Sequence, residues 1–420
     1  IIKGYALGEN LDPRDLERAS KKSGKGSLVR IYDNKLEKSA FYNGSIAIAR
    51  EKFFNSVYNN DLRVGLDITL EQIMNGSYQQ VLLDLKKSPL IRSRIAHIGL
   101  ANEWNREPQF LRYVTKPGGT VMDGAINVLN KLIEAAEFTK EQGFVVTTSF
   151  REPFFPLANR VYVDLVAELV KRLTMVGINF YHADNLMTPS VFLWWNDDMT
   201  GLFKMRLPPM FISETSPGDA YDNDLKQDTD ELAQLQKDAY QELMDQIFGY
   251  IPHQHINAGV VAFMLRDDPG KAASEGFAKN HPGMIGDVIE NPTYFGLITN
   301  KIDPANGERI KRPAFDVVSN AFARVAEPFQ PAPAAAYQPQ PLPTRIYDQT
   351  EYKLTGSPGI VLQIDFARKM AGKDKWEGRQ KINPERVIVI DSPVRIPLLT
   401  IDLLKKAPNR FSYTTEWGET

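Results

Sequence analysis

The chain reads as an α/β protein: a (β/α)8 barrel followed by a Pro-rich linker and a small C-terminal unit. Three observations predict this. Short apolar runs alternate with stretches of helical periodicity about eight times over roughly 325 residues, within the usual size of that fold. Several runs are continuously apolar, as strands buried on both faces of a parallel sheet are. Two of them, RIAHIGLANEWN (94–105) and PMFISETSPG (209–218), break off into polar clusters that contain Glu103 and Glu214. In such a barrel the C-terminal strand ends carry the chemistry. A doubly wound open sheet is the competing architecture, but no Gly-rich phosphate loop follows the first strand.

The elements follow in order. Residues 1–7 (IIKGYAL) form a first strand, and Pro13 suits the first turn of a helix capped by Asp12. Residues 27–32 (SLVRIY) are the second strand and 45–58 a helix. Residues 62–68 (LRVGLDI) are the third strand and 70–85 a helix, before the fourth strand at 94–101. A helix over 123–142 stops at Gly143, a C-cap, and 144–148 (FVVTT) is the fifth strand. A helix over 157–176 is read as ending at Gly177, with 178–181 (INFY) as the sixth strand. Residues 210–213 are the seventh strand, 228–248 a helix, 259–265 (GVVAFML) the eighth strand, and 313–326 the closing helix.

The barrel therefore spans 1–326, with a Pro/Ala/Gln linker over 327–343 and a small module or wrapping tail over 344–420. Within that tail, 360–366 and 386–390 look like strands. The tail is a candidate surface for homo-oligomer contacts.

Composition narrows the function. A net charge of -2 argues against nucleic acid as the main partner. No apolar run approaches the ~18 residues of a membrane span. Cysteine is absent, so no thiolate site or disulfide exists. The five histidines show no metal-ligand spacing, and the closest pair, His253 and His255, reads as a loop. The chain begins with Ile1 rather than Met, and an extracellular or periplasmic protein lacking its signal peptide here is expected, with a cytoplasmic location open.

Two carboxylates at two strand ends, over a hundred positions apart, are what a retaining glycosidase needs. One donates a proton to the glycosidic oxygen and the other attacks the anomeric carbon. Glu103 and Glu214 are the candidates. Arg30, near the end of the second strand, is placed to act on Glu214. Asn102 is a candidate for the sugar 2-hydroxyl and Tyr181 for a hydroxyl donor. Trp104, Trp194 and Trp195, with Tyr32 and Phe150, are candidate platforms for sugar rings. His182, Glu9, Asn10, Asp33, Arg151, Glu152, Asp184, Asn185, Arg266 and Asp267 are candidate hydroxyl binders on the rim.

These strand-end residues resemble the clan A glycoside hydrolases, retaining enzymes on a (β/α)8 barrel. LANEWN matches that clan's Asn-Glu acid/base motif after strand four, and FISETS its nucleophile after strand seven. Within the clan, VRIYD (29–33) and SET (213–215) are similar to family 17, the β-1,3-glucanases and glucanosyltransferases. YFGLITNKIDPANGERIKRPAFDVVSNAF (294–322) looks like the closing segment of many members. The resemblance covers 1–326 and implies Glu103 as acid/base, Glu214 as nucleophile, an oligo- or polysaccharide substrate of β-glucan type, and no metal or organic cofactor. After Glu214, however, the chain reads Thr-Ser-Pro-Gly instead of Gly-Trp-Pro, and strand eight ends in Leu265-Arg266-Asp267 without a Trp. Those departures motivate a second reading, an inactive barrel kept for glycan binding or assembly. A sugar-phosphate aldolase or isomerase is a third, without a phosphate-binding Gly pair or a strand-end Lys to support it.

Overall fold

Eight strands pair in parallel, each with the next, and β8 returns to β1 to close the barrel. They are β1 (Ile2–Ala6), β2 (Leu28–Tyr32), β3 (Arg63–Ile68), β4 (Ile95–Asn102), β5 (Val146–Arg151), β6 (Val176–Asn179), β7 (Met210–Thr215) and β8 (Asn257–Ala262). The computed structural model describes residues 2–8, 11–23, 26–151, 157, 159–179, 192, 195, 199–215, 230–249, 257–267 and 296–325, together with two short strands farther on.

The helices are α1 (Pro13–Ser23), α2 (Ile46–Asn59), α3 (Leu70–Met74), α4 (Tyr78–Lys87), α5 (Pro89–Arg94), α6 (Glu107–Arg112), α7 (Val121–Glu141), α8 (Arg160–Val170), α9 (Asp230–Gly249) and α10 (Pro313–Arg324). Neighbouring helices pack side by side around the sheet, α7 against α6 and α8, and α10 against α9 and α1. Local signals set their ends. Thr120 and Asp123 form a reciprocal capping box at the start of α7. Gly143, at φ 81°, follows its end in the left-handed region that glycine adopts without strain.

Two sequence expectations are corrected. The helix expected over 70–85 is broken into α3 and α4 at Asn75-Gly76, where Gly76 has φ 81°. Gly177 does not end a helix. It lies inside β6, opposite Ser149 and Phe211. A Cβ there would sit 2.6 Å from Ser149 Oγ and 2.8 Å from Ser213 Oγ, so glycine makes room for two inward-facing hydroxyls.

Strand alternation sorts the side chains. On β1, Lys3 and Tyr5 face the helices. Tyr5 Oη lies 2.5 Å from Ser23 Oγ and 2.9 Å from Ser319 Oγ. Lys3 Nζ donates to the carbonyls of Phe322 (2.8 Å) and Val325 (2.9 Å), a cation on the last carbonyls of α10. The main core lies between strands and helices and includes Leu16, Phe53, Leu82, Leu129, Val166 and Phe322. A smaller apolar cluster of Ile2, Leu28, Phe211, Val261 and Met264 forms a second core. Burying each such side chain stabilises the fold by about 1.5–3 kcal/mol.

Before α10, the antiparallel pair β9 (Ile298–Ile302) and β10 (Arg309–Lys311) leads to Arg312, which clasps Asp267 through both guanidinium nitrogens. Within the stretch expected to form a C-terminal unit, β11 (Ile360–Leu362) and β12 (Val387–Val389) pair antiparallel, each inside one of the two expected strands. The linker and the rest of that unit lie outside the described residues. No helix among the described residues is long and apolar enough to cross a membrane.

Candidate active site

Arg30 is the hub. Its neighbours Val29 and Ile31 belong to the main core between strands and helices, while its own side chain, 3% exposed, turns into the barrel. A buried guanidinium is tolerated only with partners, and Arg30 has several. Nη1 donates to Glu214 Oε1 (2.9 Å) and to the Ser213 carbonyl (2.8 Å). Nη2 donates to Asn102 Oδ1 (3.0 Å) and Ser149 Oγ (3.4 Å). Nη2 also lies 2.6 Å from Asp67 Oδ2, a close charge contact angled outside hydrogen-bond geometry.

One cation thus stands between two buried carboxylates. Burial opposes the charge on Arg30, but Asp67 and Glu214 outweigh it and hold the guanidinium above its ordinary pKa. Burial pushes the Asp67 carboxyl up, and Arg30 offsets this only in part. Burial, and then the charge of Glu214, also raise the Tyr32 hydroxyl well above its usual value. Gly99 makes this packing possible, since a Cβ there would fall 1.9 Å from Asp67 Oδ1.

Asn102 and Asn179 join the two glutamates. Asn102 Oδ1 accepts from Arg30 and from Asn179 Nδ2 (3.0 Å), which turns its own Nδ2 toward Glu214 Oε1 at 3.3 Å. Asn179 Nδ2 also donates to Glu103 Oε1 (3.0 Å), and its Oδ1 accepts from Ser213 Oγ (2.8 Å).

Glu103 owes its place to a distorted strand end. The β4–β5 register shifts between Gly99 and Asn102, and Ala101 and Glu103 take φ of 58° and 50°. Non-glycine residues rarely adopt that region, and such strain collects at functional sites. The Glu103 amide donates to the Ser149 carbonyl at 3.0 Å. Its Oε2 accepts from Arg106 Nη1 (3.3 Å) and Arg151 Nη1 (3.2 Å). Asn105 holds the Arg151 backbone with two hydrogen bonds, 2.7 and 2.8 Å.

Of the residues expected at the site, Glu103, Glu214, Arg30 and Asn102 are thus brought together, and Arg151 joins them on Glu103. Tyr181, His182, Trp194, Glu9, Asn10, Glu152, Asp184 and Asn185 lie outside the described residues. Trp104 offers no ring face to a sugar: it is 0% exposed and packs against Phe150 and Phe110. Trp195 is 1% exposed, with its indole N–H on the Pro208 carbonyl, and Phe150 is core as well. Asp33 is buried in a two-pronged pair with Arg50. Arg266 pairs with Asp15, and Asp267 with Arg312.

The sequence reading missed Asp67, Asn179, Ser149, Ser213 and Arg106. For Asp67 and Asn179 a signal existed, a polar residue inside the apolar strands RVGLDI and VGIN, where burial demands a partner.

Fold and site together define a (β/α)8 barrel whose strands converge on a buried, charged cluster. No protein-family model matches the chain, and no curated protein sequence matches it. Among solved structures the chain is similar to the family 1 β-glucosidase of Thermotoga maritima, at 13% identity over 73% of this chain and 84% of that one, with a TM-score of 0.48. It is similar to the β-glycosidase BGL167, at 12% identity over 76% of this chain and 88% of that one, TM-score 0.44. It is also similar to the GH2 β-galacturonidase of Eisenbergiella tayi, at 13% identity over 78% of this chain and 52% of that one, TM-score 0.47. These are distant likenesses of chain trace. The resemblance to family 17 rests on its motif residues alone.

Proposed function

We propose that this barrel is a retaining glycoside hydrolase or transglycosylase acting on a β-linked polysaccharide. The observation that carries the reading is the joining of Glu103 and Glu214, from two strand ends, through Arg30, Asn102 and Asn179. In the first step a Glu214 carboxylate oxygen attacks the anomeric carbon. The glycosidic C–O bond breaks, and the leaving oxygen takes a proton from Glu103. In the second step Glu103 removes a proton from water or an acceptor hydroxyl. That oxygen attacks the same carbon, and the ester bond to Glu214 breaks.

Arg30 and Asn102 orient the attacking carboxylate, and Asn179 orients the proton donor. Such positioning lowers the barrier by fixing the reacting groups before reaction. The family 17 motifs support a β-glucan-like substrate, and the departures after Glu214 and β8 bear on its identity.

The test is hydrolysis of β-linked glycans by the wild type beside Glu214→Ala. Loss of at least a thousandfold in rate at an unchanged melting temperature is expected. Equal rates in the two proteins would end the reading. A second reading, a barrel kept for glycan binding or assembly, has one observation in its favour. Each described partner of the Glu103 carboxyl is a hydrogen-bond donor, two of them guanidinium groups, whereas the first step needs a proton there.

A further inference from the structure

Asp67 takes no part in bond making or proton transfer in the scheme above, yet the barrel makes room for it. Its neighbours Leu66 and Ile68 pack into the main core, while its own carboxylate is buried inside the barrel. Glycine at 99 clears the space beside Oδ1. Oδ2 has no hydrogen-bond donor among the described residues, and its close approach is a charge contact, 2.6 Å from Arg30 Nη2. A buried carboxylate oxygen without a donor costs stability, and a well-packed apolar residue would avoid that cost. What Asp67 supplies in return is a fixed negative charge beside Arg30.

That charge matters when Glu214 reacts. Before attack, Arg30 has two anionic partners among the described residues, Asp67 at Nη2 and Glu214 at Nη1. Attack turns the Glu214 carboxylate into a neutral ester, and the leaving oxygen takes the proton of Glu103. The negative charge therefore passes from Glu214 to Glu103. Glu103 is not among the hydrogen-bond or ion-pair partners of Arg30. A guanidinium only 3% exposed would then stand without a counter-ion, were Asp67 absent. The same Nη2 that meets Asp67 also holds Asn102 Oδ1, so a displaced guanidinium would disturb both groups that orient Glu214.

We propose that Asp67 is the standing counter-ion of Arg30: it keeps the buried guanidinium neutralised and in place while Glu214 loses its charge to the glycosyl-enzyme, and so lowers the barrier to forming that ester. This rests on the glycosidase reading above. Asp67 is a positioning residue, acting on Glu214 through Arg30, and it touches no substrate atom.

The test follows hydrolysis of 4-nitrophenyl β-glycosides, and labelling of Glu214 by 2-fluoro glycosyl fluorides read by mass spectrometry, in the wild type, Asp67→Asn, Arg30→Met and the double variant. Asp67→Asn is expected to lower kcat and the labelling rate by about 100-fold, since it leaves a buried cation alone in the ester form. KM should stay within about threefold of the wild type, because ground-state binding is untouched. In the Arg30→Met background the same substitution should change the labelling rate by less than about threefold, because no cation is left to balance. A merely structural role would raise KM with falling kcat or give the same fold-loss in both backgrounds, and either result overturns the proposal. Wild-type kcat in Asp67→Asn overturns it as well. Should Asp67→Asn not fold, Gly99→Ala pushes the carboxylate aside without removing its charge. A kcat at least about tenfold below wild type there supports the proposal, and an unchanged kcat overturns it. A wild type that neither hydrolyses any glycoside nor is labelled at Glu214 ends the glycosidase reading itself, and the proposal with it. An active wild type unaffected by Asp67→Asn ends the proposal alone.

Discussion

Replacing Arg30 by Met keeps much of the side chain's length and removes its charge. It leaves Asp67 and Glu214, with side chains 2% and 5% exposed, without the cation between them. Removing one partner of a buried ion pair costs about 3–5 kcal/mol. In a barrel of this size about 1.5 °C of melting temperature corresponds to each kcal/mol, so a fall of about 4–7 °C is expected at neutral pH. The loss depends on pH with a definite sign. The Asp67 carboxyl already lies above its ordinary value in the folded protein, and loss of Arg30 raises it further. A carboxyl raised on folding contributes its full stability below the unfolded value, and that contribution is lost as pH rises through the folded value. The Arg30→Met deficit is therefore smaller near pH 4 than near pH 7. Thermal unfolding followed by near-ultraviolet circular dichroism at both pH values measures it. A deficit that is equal at the two pH values, or under about 2 °C at neutral pH, would refute the idea that Arg30 holds a buried charge cluster together.

Other outcomes follow from the same packing. His97 is fully buried in β4, 5.6 Å from the Phe211 ring, and neither ring nitrogen has a hydrogen-bond partner among the described residues. Burial, and then Arg30, depress its pKa to about 3, so it stays neutral on folding, and its contribution to stability is lost as pH falls from 6.5 toward 3. Denaturant titrations should show His97→Leu stabilised by about 1 kcal/mol at pH 7 and by more at pH 5. Trp104→Ala should cost about 3–5 kcal/mol, read in the same titrations, because the ring is core. Tyr5→Phe removes the hydroxyl shared with Ser23 and Ser319, and a loss of about 1–2 kcal/mol in a urea midpoint series is expected. Gly99→Ala should displace Asp67 and destabilise by about 1–3 kcal/mol, with a hydrogen-exchange change centred on β3.

The barrel was legible because its signals are local and repeat. Each strand is a short apolar run, and Pro13, Gly143 and Pro313 mark helix ends by their own backbone chemistry. Reading failed where a tertiary contact decides the residue. Gly177 looks like a helix terminator in sequence, yet its role is to clear space for the hydroxyls of Ser149 and Ser213. Trp104 sits beside the catalytic candidate, but the left-handed backbone at Glu103 turns the two side chains to different environments, one on the arginines and one in the core. Glu103, Glu214, Arg30 and Asn102 were visible because polar residues at the ends of apolar runs stand out. Asp67 and Asn179 were passed over because a lone polar residue within a run is easily taken for the strand's solvated face.

The reach of Lys3 to the carbonyls of Phe322 and Val325 has a consequence for how the protein is made. Those contacts span more than 300 positions, so the first strand of the barrel waits during synthesis for the helix at the barrel's far end. Until α10 emerges, the ammonium of Lys3 and the hydroxyl of Tyr5 lie on an uncovered wall, and the nascent domain is a client for chaperones and a target for proteases. A message truncated ahead of Pro313 would yield a product degraded in the cell, even though all eight strands and every residue of the charged cluster had already been translated.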